Sequence, residues 1–85
     1  MDRETLKKQL LEMMTQQIGL EFPDLKESDD LRVNMGLDSV DMVTLLIEIQ
    51  SRLGVNIPAP EAANLKTVGD VLDHLERKLQ QRQAA

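Results

Sequence analysis

The sequence predicts an all-α fold: a small bundle of three main helices plus a short fourth helix, with a long loop after the first. Three observations predict it. Apolar residues return at steps of three and four in three separate stretches. No stretch shows the two-residue alternation of a strand. The boundaries carry helix punctuation, with glycines after two of the runs and a threonine before the third.

The first run is Leu6, Leu10, Met13, Met14 and Ile18, one face of a helix that Gly19 ends. The second is Val40, Val43, Leu46, Ile49 and Leu53, with Leu45 and Ile47 beside it and Gly54 as its stop. Its inward stripe is read as Val43, Leu46, Ile49 and Leu53. The third is Val68, Val71, Leu72, Leu75 and Leu79. Thr67 caps it, and Asp70 three residues on forms a variant of the capping box. The tail from Gln80 to Ala85 has no apolar face and is expected to fray.

The connections differ. Residues 19–38 form a loop too long for a plain link, and it carries Leu20, Phe22, Leu25, Leu31, Met35 and Leu37. It is therefore expected to pack on the bundle as an ordered functional loop. Between Asn56 and Lys66, Pro58 and Pro60 introduce Glu61-Ala62-Ala63-Asn64-Leu65, read as one short helical turn with Pro60 near its first position.

An 85-residue chain is read as a single domain, 1–85, with an ordered core of about 4–79. With no cysteine, tryptophan or tyrosine, and Phe22 as the sole aromatic, the core must be aliphatic. The same absence of cysteine excludes disulfides, thiolate metal sites and a catalytic thiol. A net charge of −5 disfavours nucleic acid and anionic membrane as partners and suits basic protein surfaces. A charged N-terminus without an apolar segment, and no run of transmembrane length, point to the cytoplasm, and the chain is expected to be a monomer.

Ser39 is the candidate functional residue. It stands in Met35-Gly36-Leu37-Asp38-Ser39-Val40-Asp41-Met42-Val43, where a polar loop becomes an apolar-periodic run. A helix start offers unpaired N–H groups and the positive end of the dipole, so an anion attached there is favoured. Ser39 is either an N-cap or the attachment point of a phosphate ester. As a hydrolase nucleophile it lacks the second glycine of a nucleophile elbow and a preceding strand. His74, the sole histidine, lies among Asp73, Glu76, Arg77 and Lys78 and reads as a solvated helix position. Asp24, Glu27, Asp29 and Asp30 lack calcium-loop spacing and read as a solvated acidic loop, so no metal is expected. Asp38 and Asp41 suit a first helical turn. Val40, Met42, Thr44 and Ile47 lie off the inward stripe, where a second, intermittent contact or a covering loop would meet them.

The chain resembles the acyl carrier proteins. The resemblance rests on Gly36-Leu37-Asp38-Ser39-Val40-Asp41 and extends through Val43, Leu45, Leu46, Ile49, Gly54-Val55-Asn56-Ile57-Pro58 and Thr67-Val68-Gly69-Asp70-Val71. It implies a carrier without catalytic residues. A carrier protein synthase (phosphopantetheinyl transferase) would attach 4′-phosphopantetheine to Ser39, and the arm would bear acyl groups as thioesters. Ketosynthases, acyltransferases or acyl- and aminoacyl-activating ligases would be its partners, docking on Asp38, Val40, Asp41, Met42, Thr44 and Ile47. The pathway would be fatty-acid-like or polyketide synthesis, in a specialised standalone member.

The chain departs from primary fatty-acid carriers at Thr44, Gln50 and Ser51, where acids often stand in that group. The segment from Leu45 to Val55 is also similar to D-alanyl and other aminoacyl carriers, though the tryptophan that D-alanyl carriers usually place before their last helix is missing. An aminoacyl or peptidyl carrier is therefore the alternative. An unmodified helical adaptor, with Ser39 as a cap only, is a further one.

Overall fold

The computed structural model describes residues 2–19 and 25–83. Its elements are α1 (Arg3–Met13), a π-helical turn (Met14–Ile18), α2 (Ser39–Leu53), α3 (Ala59–Ala62) and α4 (Val68–Gln83). This is the expected bundle of three main helices and a short fourth. Among the described residues the extended pairing is one isolated bridge, Asp30 with Thr67.

α1 begins on Asp2, whose carboxylate accepts the Thr5 N–H at 2.8 Å. Its last turn widens into the π form before Gly19 stops it in the left-handed conformation, φ 80°. Met13 and Met14, at the junction of α1 and the π turn, are both buried. Gly54 closes α2 in the same way, φ 67°.

The core is aliphatic, as composition requires. Leu6, Leu10, Met13 and Met14 meet Leu45 and Ile49 of α2 and Val68, Val71, Leu72 and Leu75 of α4. The long loop contributes Leu25, Leu31, Met35 and Leu37, all buried, so it packs as expected. Leu20, Phe22 and Asp24 lie outside the described residues.

Backbone hydrogen bonds fasten this loop to the head of α4. Leu31 N–H donates to Lys66 O at 2.8 Å, Val68 N–H to Asp29 O at 3.0 Å, and Gly69 N–H to Glu27 O at 2.8 Å. A Cβ at position 69 would sit 3.2 Å from Glu27 O, so glycine permits the close approach. Arg3 adds a side-chain clamp. Its guanidinium donates to Glu27 (2.6 Å), Asp73 (2.8 Å) and Glu76, joining α1, the loop and α4.

Three expectations are corrected. The inward stripe of α2 is rotated. Leu45 and Ile49 are buried and Met42, Leu46 and Leu53 pack partly against them, whereas Val43 is 55% exposed. Two apolar stripes run along this helix, and the periodicity alone merged them. The short helix starts at Ala59 on Pro58, with Pro60 inside its first turn, rather than at Glu61. α4 continues through Gln83 and does not stop at Leu79. The expected capping box at its head is present: Thr67 N–H donates to Asp70 Oδ2 and Asp70 N–H to Thr67 Oγ1, each at 3.1 Å.

The acidic loop residues are committed to structure. Asp29 accepts the Lys26 N–H, Asp30 accepts the Arg32 and Val33 N–H groups, and Glu27 takes Arg3. The two N–H donors hold the Asp30 carboxyl below its ordinary range. Among the described residues no cluster of three or more metal-type ligands exists.

The rotated stripe sets a stability test. Leu45→Ala should cost about 2–5 kcal/mol in urea unfolding, the range for truncating a well-packed aliphatic residue. Val43→Ala should stay within about 0.5 kcal/mol. Reversed magnitudes would restore the stripe through Val43.

Candidate functional site

The site is the N-terminus of α2 and the groove beside it. Gly36, at φ 73°, turns the chain out of the loop. Leu37 is buried and anchors the next residue, its N–H donating to Leu31 O at 2.9 Å. Asp38 then takes an extended conformation and caps α2. Asp41 N–H donates to Asp38 Oδ1 at 2.8 Å, and Asp38 N–H to Asp41 Oδ2 at 3.2 Å. This is a reciprocal capping box built from two aspartates.

Ser39 is thus the first helical residue and not the cap. Asp38 does the capping, so the plain-cap reading of Ser39 loses its basis. Ser39 is exposed, and its hydroxyl makes no hydrogen bond among the described residues. Met42 N–H donates to Asp38 O at 3.0 Å and Asp41 N–H is taken by the box, which leaves the N–H groups of Ser39 and Val40 facing outward.

The other candidates divide between two faces. Val40 is 72% exposed and Ile47 62% exposed; with Val43 they form an outward apolar row at steps of three and four. Val43 is the residue that sequence reasoning placed wrongly, although the 40–43–47 spacing carried the signal. Met42 is half-buried against the core, so it does not belong to that row. Thr44 is half-buried, and its hydroxyl donates to Val40 O at 3.0 Å. Glu48 is held by Arg52 at 2.7 Å and is not a free surface acid.

Met42 instead faces a groove of about 310 Å³ between the loop, α2 and the segment after α3. Leu31, Val33, Met42 and Leu65 give it apolar wall, while Asp30, Arg32 and Lys66 lie at polar positions. Ser39 and Met42 are three residues apart on one helix, hence on one face. A hydroxyl, two outward N–H groups and a part-apolar groove share one corner of the bundle.

His74 is corrected most sharply. It was expected in solvent and is only 5% exposed. It lies between α3 and α4, away from Ser39, with Glu61 Oε1 3.7 Å from Nε2 and Arg77 2.9 Å from Nδ1. Burial, opposed in part by Glu61 and aided by Arg77 and Lys78, lowers its pKa below the ordinary imidazole value.

A family model described as the phosphopantetheine attachment site matches residues 8–75. The chain belongs to the acyl carrier protein family. It is a carrier and not an enzyme, and phosphopantetheine is the cofactor of its domain. An acyl carrier protein of Thermotoga maritima is 27% identical over 77 residues, spanning 91% of this chain and 95% of the relative. One from Myxococcus xanthus is 30% identical over 66 residues, spanning 78% and 84%. The fold agrees. The crystal structure of a Thermotoga maritima acyl carrier protein superposes with a TM-score of 0.88 at 22% identity, covering 95% of this chain and 94% of that one. A putative acyl carrier protein of Mycobacterium tuberculosis gives 0.77 at 21% identity, covering 85% and 96%. Carriers of this family engage a phosphopantetheinyl transferase and biosynthetic enzymes, and no helix among the described residues is long and apolar enough to cross a membrane.

The capping geometry separates two neighbouring side chains. Asp38→Ala should lower stability by about 0.5–2 kcal/mol through loss of the cap. Ser39→Ala should change it by less than about 0.5 kcal/mol. Thermal unfolding by circular dichroism measures both, and equal losses would return a capping role to Ser39.

Proposed function

We propose that Ser39 is the residue esterified with 4′-phosphopantetheine, and that the carrier delivers acyl groups to a dedicated fatty-acid-like or polyketide pathway in the cytoplasm. The observation that carries the proposal is an exposed hydroxyl at the first position of α2 with no structural hydrogen bond, next to an aspartate that caps in its place. A residue freed from capping is available for modification without cost to the helix.

The surroundings fit the group. A phosphodiester at Ser39 would lie by the outward N–H groups of Ser39 and Val40 and the positive end of the α2 dipole. The carboxylates of Asp38 and Asp41 would repel it, but each accepts a backbone N–H, which partly neutralises it locally. When bound, the group supplies a thiol on a flexible arm that holds cargo as a thioester. The chain's own part is positional. α2 projects the arm from a fixed point, which raises the local concentration of cargo at an engaged enzyme. The apolar side of the groove, Leu31, Val33, Met42 and Leu65, favours an acyl chain over an amino acid as cargo.

Docking follows from the outward face of α2. Asp38 and Asp41 supply negative charge, and Val40, Val43 and Ile47 supply apolar contact. Met42 and Thr44, half-buried, contribute at the edge. Glu48 is paired with Arg52, and Thr44, Gln50 and Ser51 are uncharged, so the electrostatic share of docking is small. A partner built to read an acidic helix would find little here, which supports a dedicated ketosynthase, acyltransferase or ligase.

Intact mass after incubation with coenzyme A and a broad-specificity transferase tests the attachment. One arm should be added to the wild type and none to Ser39→Ala; a gain that persists in the variant overturns the assignment. Docking is tested with loaded carrier and an enzyme encoded beside its gene. Val43→Ala combined with Ile47→Ala should raise KM severalfold, while raising salt from 50 to 300 mM should change it less than it does for a primary fatty-acid carrier with its own ketosynthase. If salt dominates and the double variant is silent, the apolar face is not the docking site.

A further inference from the structure

A second part of the molecule has chemistry that the carrier role leaves unused. α3 buries none of its residues. Its side-chain ties to α4 run through Glu61, which meets Lys78 Nζ at 3.2 Å and faces His74 Nε2 at 3.7 Å. The imidazole itself is buried, and Nε2 has no hydrogen-bond partner among the described residues. On its other side, Arg77 Nη2 lies 2.9 Å from Nδ1. An arginine can only donate, so Nδ1 accepts and the proton of the neutral ring sits on Nε2. That assignment follows from the hydrogen-bond partner.

Protonation would undo this arrangement. An added proton on Nδ1 would set N–H against N–H at Arg77, and the new cation would lie beside the charges of Arg77 and Lys78. Glu61 is the anion that faces the ring, and Lys78 already shares it. Asp70 and Asp73, also on α4, line the cavity of about 290 Å³ next to His74 together with Glu61, Asn64, Leu65 and Arg77. Asp70 is committed to the α4 cap and Asp73 to Arg3. A buried imidazolium here needs water, and Glu61, Asn64 and Leu65, from α3 and the segment after it, wall the cavity beside the ring.

We propose that His74 makes the seating of α3 on α4 proton-sensitive: the closed arrangement tolerates only the neutral ring, and protonation favours release of the short helix. The consequence reaches the groove, because Ala63 and Leu65, immediately after α3, form one of its walls. The proposal does not require Ser39 to be modified.

The sign follows from linkage. The closed state disfavours the imidazolium, whereas an open state lets the ring titrate near its ordinary value of 6.5. Opening therefore increases as pH falls below 6.5, by up to about tenfold per pH unit until the closed state also takes up a proton.

Hydrogen exchange on the full-length, unmodified chain tests it, with rates corrected for intrinsic pH dependence. The reporters are the N–H groups of Ala62, Ala63 and Leu65, which bond Pro58 O, Ala59 O and Ala62 O. Between pH 7.5 and 5.5 their protection should fall severalfold, approaching about tenfold, while the core amides of α1 hold theirs. In His74→Leu the pH-dependent fall should vanish. Glu61→Gln, which removes the facing anion but keeps the shape, should start from weaker α3 protection and retain the pH-dependent fall. A uniform loss across α1 and α3, or a fall that survives in His74→Leu, overturns the proposal. Should His74→Leu not fold, the imidazole proton shifts in the wild type decide: an α3 transition that does not follow the His74 titration also overturns it.

Discussion

Backbone hydrogen bonds between residues 27–31 and residues 66–69 set the frame on which the start of α2 depends. A long connection without regular structure is costly to order, because each fixed residue loses backbone entropy. Here the cost is met by a short parallel set of contacts: backbone bonds to the head of α4, burial of Leu25, Leu31, Met35 and Leu37, and the Arg3 clamp. The loop thereby becomes a wall of the bundle. Its last residues reach Gly36 and Leu37 with a fixed direction, and α2 must start where Asp38 can cap it. The position of Ser39 thus depends on contacts that the middle of the loop makes with the head of another helix.

That dependence explains the division of labour at the α2 terminus. Capping normally falls to the first suitable side chain, and serine is as suitable as aspartate. The extended conformation of Asp38 gives it the cap and moves Ser39 one place into the helix, where its hydroxyl has no structural duty. Asp41 returns the favour by accepting the Asp38 N–H. Two acids are consumed in holding the end together. They leave their charge near the site but little freedom to rearrange around a partner. On the proposed attachment at Ser39, a rigid point with a flexible arm suits delivery to several enzymes, because the protein need not reshape for each one.

Much of this was legible in the sequence. Helical steps, Gly19 and Gly54, and the Thr67–Asp70 pair located the helices, and the apolar loop residues announced that the loop would pack. The Ser39 neighbourhood stood out because a polar loop ends there in a helix start. What was not legible depended on three-dimensional partners. Val40, Val43 and Ile47 repeat at the same steps of three and four as Met42, Leu45 and Ile49, and only the angle at which α1 and the π turn meet α2 decides which stripe goes inward. The π turn itself leaves no one-dimensional trace. His74 is flanked by charged residues that point to solvent, yet helix geometry turns it toward α3 and the core. Neighbours in sequence on a helix lie on different faces, so the charge of the flanks was a poor guide to the ring.

The two ends of the bundle end up with opposite mechanical characters. At Ser39 every nearby backbone donor that could be satisfied is satisfied, except the two N–H groups that face outward. At α3 the helix has no buried residue, and a buried imidazole N–H beneath it has no partner among the described residues. Unsatisfied buried donors cost free energy, so this corner holds less reserve than the capped end. The groove lies between them, with Met42 on the firm side and Ala63 and Leu65 on the loose one. A carrier must keep its attachment point fixed while admitting and releasing cargo. Under the proposed proton response, a weak wall after α3, away from the loop contacts that set α2, would let the groove change its opening without moving α2.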